Sequence, residues 1–331
     1  MFSSTRVRRL CPVLALALSA ALAACAPISA GQPTLLSASP SPSASPAPSP
    51  SATSSSASAT QSCTDPTPSL RPSGPLPAPG SFSDGSFMQV IHDHGKLIAG
   101  VSQDTLLFSY LNPFSNQLEG FDIEMARQVS YAIFGDETHV QFRVITPAQR
   151  IPLLGSGAID MVASTFTITC ARWQQVDFSA VYYDSADRLL VPKTSHVESL
   201  QDLGRKRVCS PTGSTALDRV KHASSHPIPV AVADRTDCLV LLQRGEVDAV
   251  ANDESILLGL AAQDQSVKVV GPRFSDEPYG LGVSKAHPEF VRFLNAMLQN
   301  MESNGTWQST YGRWLGSFGP APSPPTPKYQ S

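Results

Sequence analysis

The sequence predicts an α/β fold of two lobes that face each other across a ligand cleft. A repeated phrase carries that expectation. Residues 153–162 read LLGSGAIDMV and residues 241–250 read LLQRGEVDAV. Leu, Leu, Gly, Asp and Val recur in register, with Ile159 answered by Val247. Each phrase reads as the end of a helix, a Gly C-cap and a short apolar strand. Each strand then runs into polar residues, ASTFT at 163–167 and ANDES at 251–255. In open α/β sheets ligands bind beyond the carboxyl ends of the strands, so two such units offer two polar strand ends to one cleft.

The remaining segments bound this body. Arg6, Arg8 and Arg9 precede an apolar run over 13–24, the layout of a signal peptide and too short for a comfortable membrane span. The run ends in LAAC, which resembles a bacterial lipobox. That resemblance implies cleavage before Cys25 and lipid on its new N-terminus, with about 0.8 kcal/mol of anchoring per buried CH₂. Residues 26–61 are nearly all Ser, Pro, Ala and Thr without charge, a composition that cannot bury enough surface to fold. The expected organisation is a signal peptide over 1–24 and a lipidated, disordered tether over 25–80. The first lobe is expected over 81–187 with 281–318, the second over 188–280, and a disordered tail over 319–331.

A net charge of -3 and the lack of a basic patch with interleaved aromatics argue against nucleic acid. Beyond Cys25, four cysteines remain after processing: Cys63, Cys170, Cys209 and Cys238. An even count in an exported chain favours disulfides, and four cysteines allow three connectivities. Pairing 63–170 and 209–238 keeps each bridge within one lobe. Their spacing is too scattered for zinc. The His92–Asp93–His94–Gly95 run does not amount to a metal site either, so no metal or cofactor is expected.

Along the body, KLIAGV at 96–101 reads as a strand. A helix follows over 120–134, with Ile123, Ala126, Gln128, Val129 and Ile133 on one face and Asp122 and Glu124 in its first turn. Then come a strand at 140–145, a helix at 148–154 and a strand at 159–163. Residues 183–190 cross between lobes. The second unit reads as a helix at 197–203, strand 207–209, turn 212–215, helix 216–222, strand 228–232, helix 238–244, strand 247–251, helix 253–260 and strand 267–270. A return strand at 279–284 precedes closing helices at 288–301 and 306–315.

Five segments carry a family resemblance: GFDIEMARQV from Gly120, RIPLLGSGAIDMV from Arg150, FTITCARWQQVDFS from Phe166, DLGRKRV from Asp202 and NGTWQSTYGRWL from Asn304. Over about 96–315 the body resembles the polar-amino-acid solute-binding proteins of ABC importers. With its tether and cysteines it is most similar to the glutamine-binding lipoproteins of actinobacteria. The resemblance implies the periplasmic-binding-protein (Venus flytrap) architecture. It departs at Ser130, where the helix signature prefers a small apolar residue. Pro211 and Ser102 stand where glutamine binders often carry Lys and Asp.

The chemistry of a free amino acid fits the resemblance. A carboxylate is best held by the planar fork of an Arg. Arg172, in the T-I-T-x-x-R motif, is the family's α-carboxylate anchor, with Thr167 and Thr165 beside it. Asp253, at the second polar strand end, is the implied acceptor for the ammonium, and its other reading is a helix N-cap. Ser214 and Thr215 can offer amides at a helix start. Arg150 and Arg188 match positions at which glutamate/aspartate binders carry Arg, and an extra cleft cation favours a second carboxylate. Phe108 and Phe166 are candidate apolar walls.

The expected function is a membrane-anchored, extracytoplasmic, monomeric binding protein for a polar amino acid. Glutamate or aspartate is favoured over glutamine, and the ligand is handed to ABC permease subunits. An amino-acid sensor docking on a membrane receptor uses the same site. A dehydratase-like enzyme on this fold is the third class. No nucleophile elbow, HExxH or phosphate loop supports catalysis, and no enzymatic activity is expected.

Overall fold

The computed structural model describes residues 63–330. The signal peptide, Cys25 and the tether up to residue 62 lie outside the described residues. Two five-stranded sheets form the body. The first runs, in spatial order, Val140–Val144, Leu97–Val101, Met161–Val162, Gly282–Val283 and Asp177–Phe178. Its first three strands are parallel, the fourth pairs antiparallel with the third, and the fifth antiparallel with the fourth. The second runs Ile228–Val232, Arg207–Pro211, Ala249–Asp253, Asp187–Pro192 and Val267–Val270. Again the first three strands are parallel, the fourth pairs antiparallel with the third, and the fifth antiparallel with the fourth.

The repeated phrase has one structural role in both lobes. Gly157 (φ 68°) and Gly245 (φ 67°) each end a helix in the left-handed region that Gly tolerates. Asp160 accepts a 2.7 Å bond from the Ile98 amide, and Asp248 accepts one of 2.7 Å from the Arg207 amide. Each Asp thus ties the start of the neighbouring strand to the central strand that follows it, fixing where the central strand's polar end emerges.

The chain crosses between sheets twice, and the crossings pair with each other. Tyr183–Ser185 lies antiparallel to Glu277–Tyr279. The first lobe's core packs the helix Phe121–Phe134 and the closing helices Pro288–Ser303 and Thr306–Leu315 around Phe121, Leu294 and Trp307. Ser130 is fully buried in that helix and donates to the Asp136 carbonyl just past its end, so the hydroxyl satisfies a group that a small apolar residue leaves open.

Several boundaries differ from expectation. The expected helix at 197–203 is only a 3-10 turn, Leu200–Leu203, set by a capping box between Ser199 and Asp202. A small sheet of Asp104–Thr105, Ser109–Leu111 and Leu118–Glu119 was not foreseen. The tether and tail boundaries at 80 and 319 are also corrected. Ser69 pairs with Tyr329, Lys328 reaches Asp65 at 3.0 Å, and the Asn295 amide bonds Ser69 at 2.8 Å and the Leu70 carbonyl at 2.7 Å. Asn295 is fully buried, so these bonds supply the partners that its polar group needs. The chain from Cys63 onward and the segment at 328–330 are therefore packed on the first lobe.

The disulfides join Cys63 to Cys170 and Cys209 to Cys238, with Cα separations of 5.6 and 5.5 Å. Among the described residues no helix is long and apolar enough to cross a membrane.

Candidate functional site

The polar strand ends of both sheets meet at one cavity. Its lining includes Arg150, Thr165, Thr167 and Arg172 from the first lobe, and Ser214, Thr215 and Asp253 from the second. Seven of the eight candidate ligand residues thus come together. Arg188 does not. Its guanidinium bonds Glu254 at 2.7 Å and the Gly271 carbonyl at 2.9 Å, so its expected place in the cleft is corrected to a contact within the second lobe.

Arg172 is aimed by its local fold. Thr169 caps the one-turn helix Cys170–Trp173 by accepting from the Arg172 amide at 3.2 Å. The guanidinium turns back to donate to the Thr167 carbonyl at 2.7 Å and, across the cleft, to the Gly213 carbonyl at 2.9 Å. Arg150 donates to the same Gly213 carbonyl at 3.2 Å, and also to the carbonyls of Pro147, Ser164 and Thr165. Both guanidinium groups lie over Phe166, at 4.4 Å for Arg150 and 5.1 Å for Arg172. Phe166 therefore acts as a cation–π platform beneath the two arginines. Phe108 is packed in the first lobe's aromatic core against Phe121, Tyr183 and Tyr279. Neither ring is the apolar ligand wall that the sequence suggested.

At Gly213 the backbones of the two lobes are in close contact. Its φ is 81°, and a Cβ there would meet the Ala148 Cα at 2.8 Å. Only Gly meets both demands.

Asp253 ends the strand Ala249–Asp253, and its carboxylate makes no capping bond to the helix Glu254–Gln263 that follows. It accepts from the Tyr279 hydroxyl at 2.5 Å instead. Burial, then the neighbouring Glu277 carboxylate, pushes Asp253 up to about 6. Ser214 does cap its helix, accepting from the Leu217 amide at 3.1 Å, while the Thr215 hydroxyl donates to Glu277 at 2.8 Å. Asp187, Asp253 and Glu277 lie within metal-ligand reach of one another. Arg219 already bridges Asp187 at 2.9 Å and Glu277 at 2.8 Å, supplying a counter-charge from the protein itself.

Two residues to which the sequence assigns no part in the site, Asp122 and Arg235, shape it. Asp122 is fully buried and holds the Thr165 amide at 2.8 Å and the Tyr182 hydroxyl at 2.6 Å. Thr165 sits at φ 40°, a strained conformation for a β-branched residue that this carboxylate helps to maintain. Burial raises Asp122 to about 6. Arg235, at the start of the helix Arg235–Gln243, is the third guanidinium on the cavity wall. Nothing local marks it, because its partners Ser102, Asp104 and Thr165 are at least 70 residues away in sequence.

Burial pulls the Arg172 guanidinium below its ordinary value, and burial together with Arg172 and Arg235 pulls Arg150 well below it. Three guanidinium groups and one carboxylate, Asp253, line the cavity among the described residues, while the carboxylates of Asp104, Asp122, Asp187 and Glu277 stand behind that lining.

Comparison with known proteins agrees with this architecture. Residues 97–317 match the model of the bacterial extracellular solute-binding proteins, family 3. The glutamine-binding protein GlnH of a Bacillus subtilis ABC transporter is 36% identical over 229 residues, covering 69% of this chain and 84% of that one. The glutamate-binding protein GluB of Corynebacterium glutamicum is 30% identical over 253 residues, covering 73% and 85%. Among solved structures, an ancestral arginine-binding protein bound to glutamine is 32% identical with a TM-score of 0.63, covering 67% of this chain and 98% of its own. The fold, the paired strand ends and the match over two thirds of its length agree: the chain belongs to family 3 of the bacterial extracellular solute-binding proteins.

Proposed function

We propose that this protein captures an acidic amino acid, glutamate or aspartate, between its lobes and delivers it to an ABC importer as a lipid-anchored, extracytoplasmic component. The observation that carries the ligand class is the set of three guanidinium groups, Arg150, Arg172 and Arg235, facing a single lining carboxylate, Asp253. A zwitterion with one further carboxylate supplies the missing negative charge, since buried charges require partners. Arg172 takes the α-carboxylate and Asp253 the ammonium. The Gly213 carbonyl, bonded by Arg150 and Arg172 from the opposite lobe, links closure of the lobes to the residues that hold the ligand. Glutamine is the second reading, supported by the glutamine-binding relative at 36% identity. Thermal-shift screening of the mature protein against the twenty amino acids tests the proposal. The largest stabilisation is expected from glutamate or aspartate, and a response to basic or apolar amino acids alone contradicts it.

The buried Asp253 gives the binding a pH signature. Its pKa is raised to about 6, so the free site holds a proton below that value. A ligand ammonium needs the ionised carboxylate and must displace that proton, so affinity rises with pH up to about 6 and levels off above it. Titration calorimetry at pH 5 is expected to give Kd about tenfold weaker than at pH 7. Equal affinities would remove Asp253 from the ammonium site.

A further inference from the structure

We infer that Arg235 reads the side-chain carboxylate of the ligand, and that Asp104 sets how strongly it does so. This rests on the acidic-ligand reading above and names the residue that makes the distinction.

Three cations are candidates for a second carboxylate, and two are otherwise engaged. Arg188 is paired with Glu254 away from the cavity. Arg150 directs its Nε and both terminal nitrogens at four backbone carbonyls, a set that fixes the strand end rather than leaving a fork open. Arg235 is different. It is 3% exposed and lines the cavity. Its Nη1 donates to the Ser102 hydroxyl at 3.2 Å and its Nη2 to the Thr165 hydroxyl at 3.0 Å. Its Nε has no acceptor among the described residues.

The spacing suits a short dicarboxylic amino acid. Arg172 is moored to Thr167 and Arg235 to Thr165, two residues apart on one segment. Two residues span at most about 7 Å. Both guanidinium groups are thus moored to one short cavity-lining segment, close enough for a single small dicarboxylic ligand to meet both.

Asp104 is the resident competitor for Arg235. Its Oδ2 accepts from the Arg235 amide at 2.6 Å and the Thr236 amide at 3.1 Å, docking a first-lobe carboxylate on the start of a second-lobe helix. Its Oδ1 lies 3.5 Å from Nη1 of Arg235, a long contact that only partly neutralises the guanidinium. Burial pushes Asp104 up, but Arg235, Ser102 and the two amides more than offset it and keep the carboxyl below its ordinary range. The carboxylate therefore stays charged and both contacts persist at neutral pH.

Calorimetry of glutamate and glutamine on wild type, Arg235→Met and Asp104→Asn tests the assignment. Arg235→Met is expected to weaken glutamate about 30-fold or more, since a buried carboxylate loses its partner, and glutamine by under about threefold. Asp104→Asn removes the competing carboxylate, so the preference for glutamate over glutamine is expected to rise. Equal losses for both ligands in Arg235→Met, or an unchanged ratio, overturn the assignment. If Arg235→Met does not fold, an unchanged or reduced preference in Asp104→Asn overturns it alone. A wild type that prefers glutamine defeats the acidic-ligand reading itself. A wild type that prefers glutamate, with that preference intact in Arg235→Met, defeats only the role of Arg235.

Discussion

Replacing Arg172 with Ala is expected to abolish most ligand binding. The side chain is buried, and it joins the Thr167 carbonyl of one lobe to the Gly213 carbonyl of the other. Without it the ligand α-carboxylate enters a closed cleft unpaired, which costs on the order of 3–5 kcal/mol. That corresponds to roughly two to four decades in Kd. Arg172→Lys is expected to fail nearly as badly. An ammonium is a point donor and cannot serve Thr167, Gly213 and a carboxylate in one plane. Titration calorimetry with a parallel thermal melt separates loss of binding from loss of fold. Native affinity in either variant would move the α-carboxylate site away from Arg172.

Reduction of the two disulfides is the next largest expected effect. The Cys63–Cys170 bridge closes a separation of 107 residues and Cys209–Cys238 one of 29. Each is expected to contribute about 2–4 kcal/mol, mainly by restricting the unfolded chain. Losing both is expected to lower Tm by roughly 10–30 °C for a body of this size. The two bridges differ in their effect on the site. Cys170 shares the one-turn helix Cys170–Trp173 with Arg172, so opening the 63–170 bridge loosens the turn that aims the guanidinium. Cys63→Ser with Cys170→Ser is therefore expected to weaken binding as well as stability, whereas Cys209→Ser with Cys238→Ser acts mainly on stability. A Tm that reductant does not change would contradict this account.

Much of the architecture was legible because it rests on local rules. The two Leu-Leu phrases were visible because the left-handed Gly157 and Gly245 and the strand-tying Asp160 and Asp248 occur at fixed offsets within one unit. Arg172 was visible through its motif, and Thr169 as a helix cap explains part of why that motif has its form. Arg188 was misplaced because a cation at a crossover looks the same in sequence whether it faces the cleft or Glu254. Arg235 and Asp104 were invisible for the complementary reason. Each is an ordinary surface-type residue until the folded chain brings positions 131 apart into contact. The packed termini escaped notice because Pro- and Ser-rich composition argues for disorder. In sequence Asn295 is an ordinary polar residue of a helix, and only the fold shows its buried amide met by Ser69 and Leu70.

The central claim is that the closed cleft is built for an amino acid with a second carboxylate. Paired calorimetric titrations of glutamate and glutamine into the mature wild-type protein at pH 7 test it most directly. Excess positive charge on the cavity wall predicts glutamate bound tighter by about tenfold or more. Glutamine bound as tightly as glutamate, or tighter, would contradict it.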